Sequence, residues 1–80
     1  MHMEWNDLEL FLAVADTGSL TAAARKLRVT QPTASRRLVD LEASIGEALF
    51  VRDQNGARLT AFGERLVEPA RLMAEWAGEA

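Results

Sequence analysis

Apolar residues recur along this chain with two different periods, and the change of period divides it. Over residues 6–17, Leu8, Phe11, Leu12 and Ala15 form one stripe at helical spacing, and Leu10 and Val14 form a second on the far side. A helix apolar on two sides predicts an element sandwiched between others. Gly18 closes it, and Ser19 is placed to cap a second helix over 20–27 that buries Leu20, Ala23, Ala24 and Leu27. The alanines of that helix permit close approach by its neighbour. In the third helix Ala34, Leu38, Leu41 and Ile45 follow i, i+4, i+7, i+11. Its start is marked by Thr30 as N-cap with Pro32 in the first turn, and its end by Gly46. Beyond Gly46 the runs Leu49-Phe50-Val51-Arg52 and Ala57-Arg58-Leu59-Thr60 are strand-like. They flank Asp53-Gln54-Asn55-Gly56, whose Asn-Gly pair predicts a hairpin. Thr60 caps a last helix over 61–77, with a stripe of Phe62, Leu66, Met73 and Trp76 widened by Ala70 and Ala77. Pro69 inside it predicts a kink or a lost hydrogen bond near Arg65.

The fold class that follows is mainly α: three helices and a two-stranded wing over 1–60, then a long linker or dimerisation helix over 61–80. The helices of segment 20–46, joined by a three-residue turn, have the layout of a DNA-binding helix-turn-helix. On the third helix Arg36 lies nearly opposite the apolar stripe, with Pro32, Val39 and Ala43 beside it. Thr33 and Asp40 flank that outer face on one side and Ser35 on the other. Arg37 lies nearer the core stripe and leans toward a backbone or a carboxylate. An ordinary amphipathic helix with solvated arginines fits the same residues. The hairpin likewise has two readings. As a wing it would carry Arg52 and Arg58 on its two arms toward phosphates or a minor groove; as a cover for the core edge it would leave both solvated. The stripe of the last helix exceeds what one small domain can cover. Part of it should meet Leu10 and Val14, and the rest suits pairing of two copies, with packing wholly on its own core the alternative.

Composition narrows the classes. Eighty residues make one small domain. The absence of cysteine excludes disulfides and thiolate metal sites and fits a reducing cytoplasm. No apolar run reaches membrane-spanning length, no signal peptide pattern is present, and Met1-His2-Met3 reads as a cloning scar before a start at Met3. The net charge of −3 argues against nucleic acid until its distribution is read. Residues 1–24 carry four acids and no Lys or Arg, 25–58 seven bases against four acids, and 59–80 two bases against four acids. Arg25 to Arg37 holds five bases and no acid. A basic centre between acidic ends suits a protein that touches phosphates along one edge. The only histidine is His2, and no nucleophile–base pair, phosphate loop or ligand cluster is present, so no enzyme, cofactor or metal is expected. Asp40 and Glu42 read as helix-surface charges, with Glu42 able to pair with a nearby arginine.

Segments spread over the whole chain resemble the N-terminal domain of LysR-type transcriptional regulators. They are Leu10-Phe11-Leu12-Ala13-Val14-Ala15 with Thr17-Gly18-Ser19, then Ala22-Ala23-Ala24 with Leu27, then Thr30-Gln31-Pro32-Thr33-Ala34-Ser35-Arg36. Leu41-Glu42, Ile45-Gly46, Leu49-Phe50, Arg52 and Leu59-Thr60 with Gly63 continue the set, so the likeness covers about residues 5–77. The resemblance implies a winged helix-turn-helix that binds double-stranded DNA at an inverted repeat. Gln31, Pro32, Thr33, Ser35 and Arg36 would approach bases or nearby backbone in the major groove, and Arg52 would reach from the wing. With Thr30, Arg37 and Arg58 these form the expected DNA-binding set. A homodimer would form through the last helix at Leu66, Ala70, Met73, Trp76 and Ala77. Family members normally continue into a ligand-sensing domain, so a small-molecule effector would act only through a part outside these residues. Two neighbouring classes share the same features: a winged helix of another regulator group, such as the molybdate-responsive repressors, and a winged helix that binds only protein.

Overall fold

Each helix begins at a side chain that takes up a free backbone N–H, and two of the four end at a glycine. The computed structural model describes residues 4–76, and within it the elements are α1 (Trp5–Thr17), α2 (Leu20–Leu27), α3 (Gln31–Ile45), β1 (Phe50–Asp53), β2 (Gly56–Leu59) and α4 (Ala61–Ala74). Ser19 Oγ accepts from the Ala22 N–H at 3.1 Å, Thr30 Oγ1 from Thr33 at 3.3 Å and Thr60 Oγ1 from Gly63 at 3.0 Å. Gly18 and Gly46 close α1 and α3 with φ of 70° and 84°, the left-handed conformation glycine adopts without steric cost. The expected boundaries therefore hold to within a residue for α1 to α3. The last helix is α-helical to Ala74, keeps a helical turn at 75–76 and runs on through Pro69. Ala77 and Met1 to Met3 lie outside the described residues.

α1 packs on α2, α3, α4 and β2, which is the sandwiched position its two apolar faces predict. It buries Leu8, Leu10, Phe11, Ala13 and Val14. Ala23 and Ala24 of α2 and Ala34 of α3 are buried, as the tight crossing of a helix-turn-helix needs. Leu38, Leu41, Leu49 and Phe50 complete the centre, with the Phe11 and Phe50 rings 5.6 Å apart and tilted by 45°. α4 joins the same core. Ala70, expected in a dimer stripe, is fully buried against its own chain, and Leu66 is half-buried on the same core. The physical reason is volume: the alanine side chain lets α4 lie close to the core, which leaves nothing of it for a partner. A hydrogen bond of 2.6 Å from Arg71 to Asp16 ties α4 to α1. That bond, helped by the opposite charge, moves the Arg71 pKa up from its ordinary value, so this guanidinium stays charged.

The two strands pair antiparallel with Phe50 opposite Leu59, Val51 opposite Arg58, Arg52 opposite Ala57 and Asp53 opposite Gly56. The turn is Gln54-Asn55, and neither residue has a positive φ. Gly56 is needed for a different reason. Its φ is 127°, and a Cβ there would collide with the Gly18 carbonyl oxygen, which accepts the Ala57 N–H at 2.9 Å. The hairpin is thereby fastened to the α1–α2 turn.

Candidate nucleic-acid interface

The outer face of α3 is built by burying the opposite one. Ala34, Leu38 and Leu41 are buried, while Gln31, Pro32, Arg36, Arg37 and Val39 are exposed and Thr33 and Ser35 half-exposed. Thr30 caps the helix and its hydroxyl also donates to Thr33 Oγ1 at 2.9 Å. Both hydroxyls thus serve the helix start first and are less free to reach a partner than the outer residues.

The turn before α3 contains Arg28 in the left-handed conformation, φ 60°, the one non-glycine residue with positive φ among the described residues. Its N–H bonds the Arg25 carbonyl at 3.1 Å and the Val29 N–H bonds that of Ala24 at 3.0 Å, which closes α2 as a glycine would. A left-handed arginine costs on the order of 1–2 kcal/mol. Nothing in the periodicity announces it.

The hairpin brings one of its two arginines to α3. Side chains alternate along a strand, so Phe50 and Arg52 share a face with Ala57 and Leu59 across the ladder, and Val51 and Asp53 share the other with Arg58. Phe50 and Ala57 are buried, so Arg52 lies on the side turned to the helices, and its Nη1 donates to Ser35 Oγ at 3.2 Å. Arg58 stands on the opposite face, paired with Asp53 at 3.3 Å. Both of those side chains are exposed, and such a pair contributes little to stability. The structure therefore joins Arg52 to the face of Gln31, Pro32, Ser35 and Arg36 and separates Arg58 from it.

Glu42 is the residue whose role differs most from its sequence reading. Its carboxylate does not meet an arginine; Oε2 accepts the Leu49 N–H at 2.7 Å and the Phe50 N–H at 3.3 Å. One side chain of α3 thus fixes the start of β1. The bond spans residues seven and eight positions away in a segment without helical periodicity, so neither helix nor strand patterning could reveal it. Leu49 is held from its other end too, because its carbonyl accepts the Thr60 N–H at 2.9 Å. Between the N-terminus of α2, Gln31 and the hairpin an open groove of about 470 Å³ runs past Ser19, Thr21 and Arg52.

On α4, Leu72, Met73 and Trp76 are exposed, Trp76 by 89%. Met73 and Trp76 were expected there; Leu72 was not, and it extends the same patch. Among the described residues no group of His, Cys, Asp or Glu could hold a metal ion, and no helix is long and apolar enough to cross a membrane.

Two crossing helices with one exposed outer face, and a hairpin set beside them, define a winged helix-turn-helix domain. The chain belongs to the LysR family of bacterial regulatory helix-turn-helix proteins, whose family model matches residues 5–64. It is 43% identical over 76 residues to the HTH-type transcriptional regulator TcbR of Pseudomonas sp. strain P51, covering 95% of this chain and 26% of that protein. It is 44% identical over 71 residues to ClcR of Pseudomonas putida, covering 89% and 24%. The chain thus spans about a quarter of the length of these relatives. Among solved structures, the CbnR DNA-binding domain in complex with DNA matches with a TM-score of 0.91 at 43% identity, over 96% of this chain and 88% of that one. The BenM DNA-binding domain on its benA site 1 DNA matches with a TM-score of 0.90 at 31% identity, over 96% and 86%.

Proposed function

We propose that this domain reads duplex DNA for a bacterial transcriptional regulator, with the N-terminal half of α3 in the major groove and the hairpin at the adjacent backbone or minor groove. The observation that carries it is one continuous exposed surface on which Gln31, Pro32, Ser35 and Arg36 of α3 lie beside Arg52 of the wing, while the back of α3 is buried. Arg36 suits bidentate recognition of guanine, and Gln31 of adenine. Thr30, Thr33, Arg37 and Arg58 contact backbone or support those that do. The CbnR and BenM domains, both of the same fold, were solved on DNA, which supports the reading. Two copies pair through the distal part of α4 and present two recognition helices to an inverted repeat. The domain performs no catalysis and works in the cytoplasm, and effector sensing belongs to other parts of such regulators.

Binding-site selection from random duplexes tests this. One enriched motif with two-fold related half-sites is expected, with affinity falling steeply as salt rises. The acidic overall charge keeps a protein-only winged helix as the competing reading, and salt-insensitive binding with no enriched motif would favour it.

A further inference from the structure

We infer that Arg52, although it belongs to the wing, sets which base edge Ser35 reads in the major groove. This rests on the DNA-reading role proposed above. A serine hydroxyl holds one donor and two acceptor sites, so beside a base it serves acceptor edges and donor edges alike. In this protein one acceptor site is occupied. Arg52 Nη1 donates to Ser35 Oγ at 3.2 Å. A guanidinium only donates, so it cannot exchange roles with the hydroxyl. The Ser35 proton must then point away from the cation, and among the described residues no acceptor takes it. Ser35 keeps its donor and one acceptor site, and the cation on one side biases its proton toward the open side of α3. That bias favours guanine O6 or N7, adenine N7 or thymine O4 over the amino groups of adenine and cytosine.

The contact is a product of the fold. Ser35 and Arg52 are seventeen positions apart and meet because both ends of the hairpin are fixed. Glu42 holds the start of β1 through the Leu49 and Phe50 amides. Gly18 holds the far end of the hairpin through the Ala57 amide. With Phe50 buried, alternation places Arg52 on the same side, toward α3. A wing arginine that touched phosphate alone would raise affinity for all sequences equally. One that also polarises the choice made by Ser35 affects preference at a single major-groove base pair.

The test titrates the parent, Arg52→Met, Ser35→Ala and the double variant against the selected duplex and its single-base variants, after matched thermal melts. The parent should discriminate about tenfold at one base pair per half-site. Arg52→Met and Ser35→Ala should each reduce that to about twofold at the same base pair, with the double variant no worse than Ser35→Ala, because the two act as one reader. Arg52→Lys keeps a donor and a charge and should restore at least part of the preference. Only the Met variants should lower the salt slope, by about one. A uniform loss of affinity in Arg52→Met with the preference intact would overturn the inference and leave the DNA-reading role standing. A parent that prefers no duplex would overturn both.

Discussion

Removing the Glu42 carboxylate should uncouple the wing from the recognition helix and cost a large share of the domain's stability. In Glu42→Ala two backbone donors lose their acceptor, the Leu49 N–H at 2.7 Å and the Phe50 N–H at 3.3 Å. Leu49 is fully buried and Phe50 nearly so, which limits how far water can replace the carboxylate. A hydrogen bond to a charged group contributes about 1.5–3 kcal/mol, and the short Leu49 bond belongs in that range. The longer Phe50 bond shares the same oxygen and adds about 0.5–1 kcal/mol. The expected loss is therefore about 2–4 kcal/mol, against a total of about 4–12 kcal/mol for a domain of this size. At about 4–8 °C per kcal/mol, the melting midpoint should fall by on the order of 8–32 °C. Thermal and urea unfolding followed by circular dichroism would measure it, with an unchanged urea slope showing that the two-state reference is preserved. Glu42→Gln keeps an acceptor oxygen without the charge and should lose about half as much. A loss below about 0.5 kcal/mol in the alanine variant would mean that the two amides find other partners, and the view of Glu42 as the anchor of β1 would be wrong.

Four further outcomes are expected. Gly63→Ala places a Cβ against the Leu49 carbonyl oxygen and 3.0 Å from Leu59 Cδ2, so denaturant unfolding should report a loss of about 3 kcal/mol or more. Thr30→Ala removes the acceptor for the Thr33 N–H and should cost about 1 kcal/mol; an unchanged melting midpoint would contradict the cap. Arg36→Ala should weaken binding to the selected duplex by roughly 1–3 kcal/mol and relax one base pair per half-site, whereas equal loss on all sequences would make it a phosphate contact. Met73→Glu with Trp76→Glu, both exposed on α4, should leave the core folded and sediment as a monomer that has lost the advantage of a full over a half site; a dimer in that experiment places the interface elsewhere.

The helix starts and stops were legible because short-range chemistry marks them. Ser19, Thr30 and Thr60 each bond an amide three positions on, and Gly18 and Gly46 sit where a left-handed residue must follow a helix. The faces of α3 followed from its period alone. What stayed hidden depends on residues distant in sequence. Glu42 reaches an irregular segment, Arg52 meets Ser35 across seventeen positions, and Gly56 and Gly63 are required by carbonyl oxygens of other elements. The Asn-Gly pair did announce a hairpin, but the glycine stands at the start of β2 against Gly18. Periodicity cannot say how far a core extends, so the apolar stripe of α4 divides only in the structure. Ala70 belongs to the core, and the exposed patch begins near Leu72. Of the two wing arginines, sequence could not tell which face each takes, since that depends on the strand register.

Leu49 deserves to be seen as a mechanical joint. Its amide is held by α3 through Glu42, its carbonyl receives the first amide leading into α4, and Gly63 lets α4 lie directly on that carbonyl. One peptide segment is thus gripped from two sides by the helix that faces outward and the helix that carries the exposed apolar tail. A pull on the tail of α4 meets first the Arg71–Asp16 bond and the buried Ala70, and only then the Thr60–Leu49 bond at the base of the wing. Beyond those contacts, a displacement of α4 would bear on the base of the wing, where Arg52 starts toward α3. The helix that carries the exposed apolar tail and the base of the wing thus share one backbone carbonyl, with no loop between them.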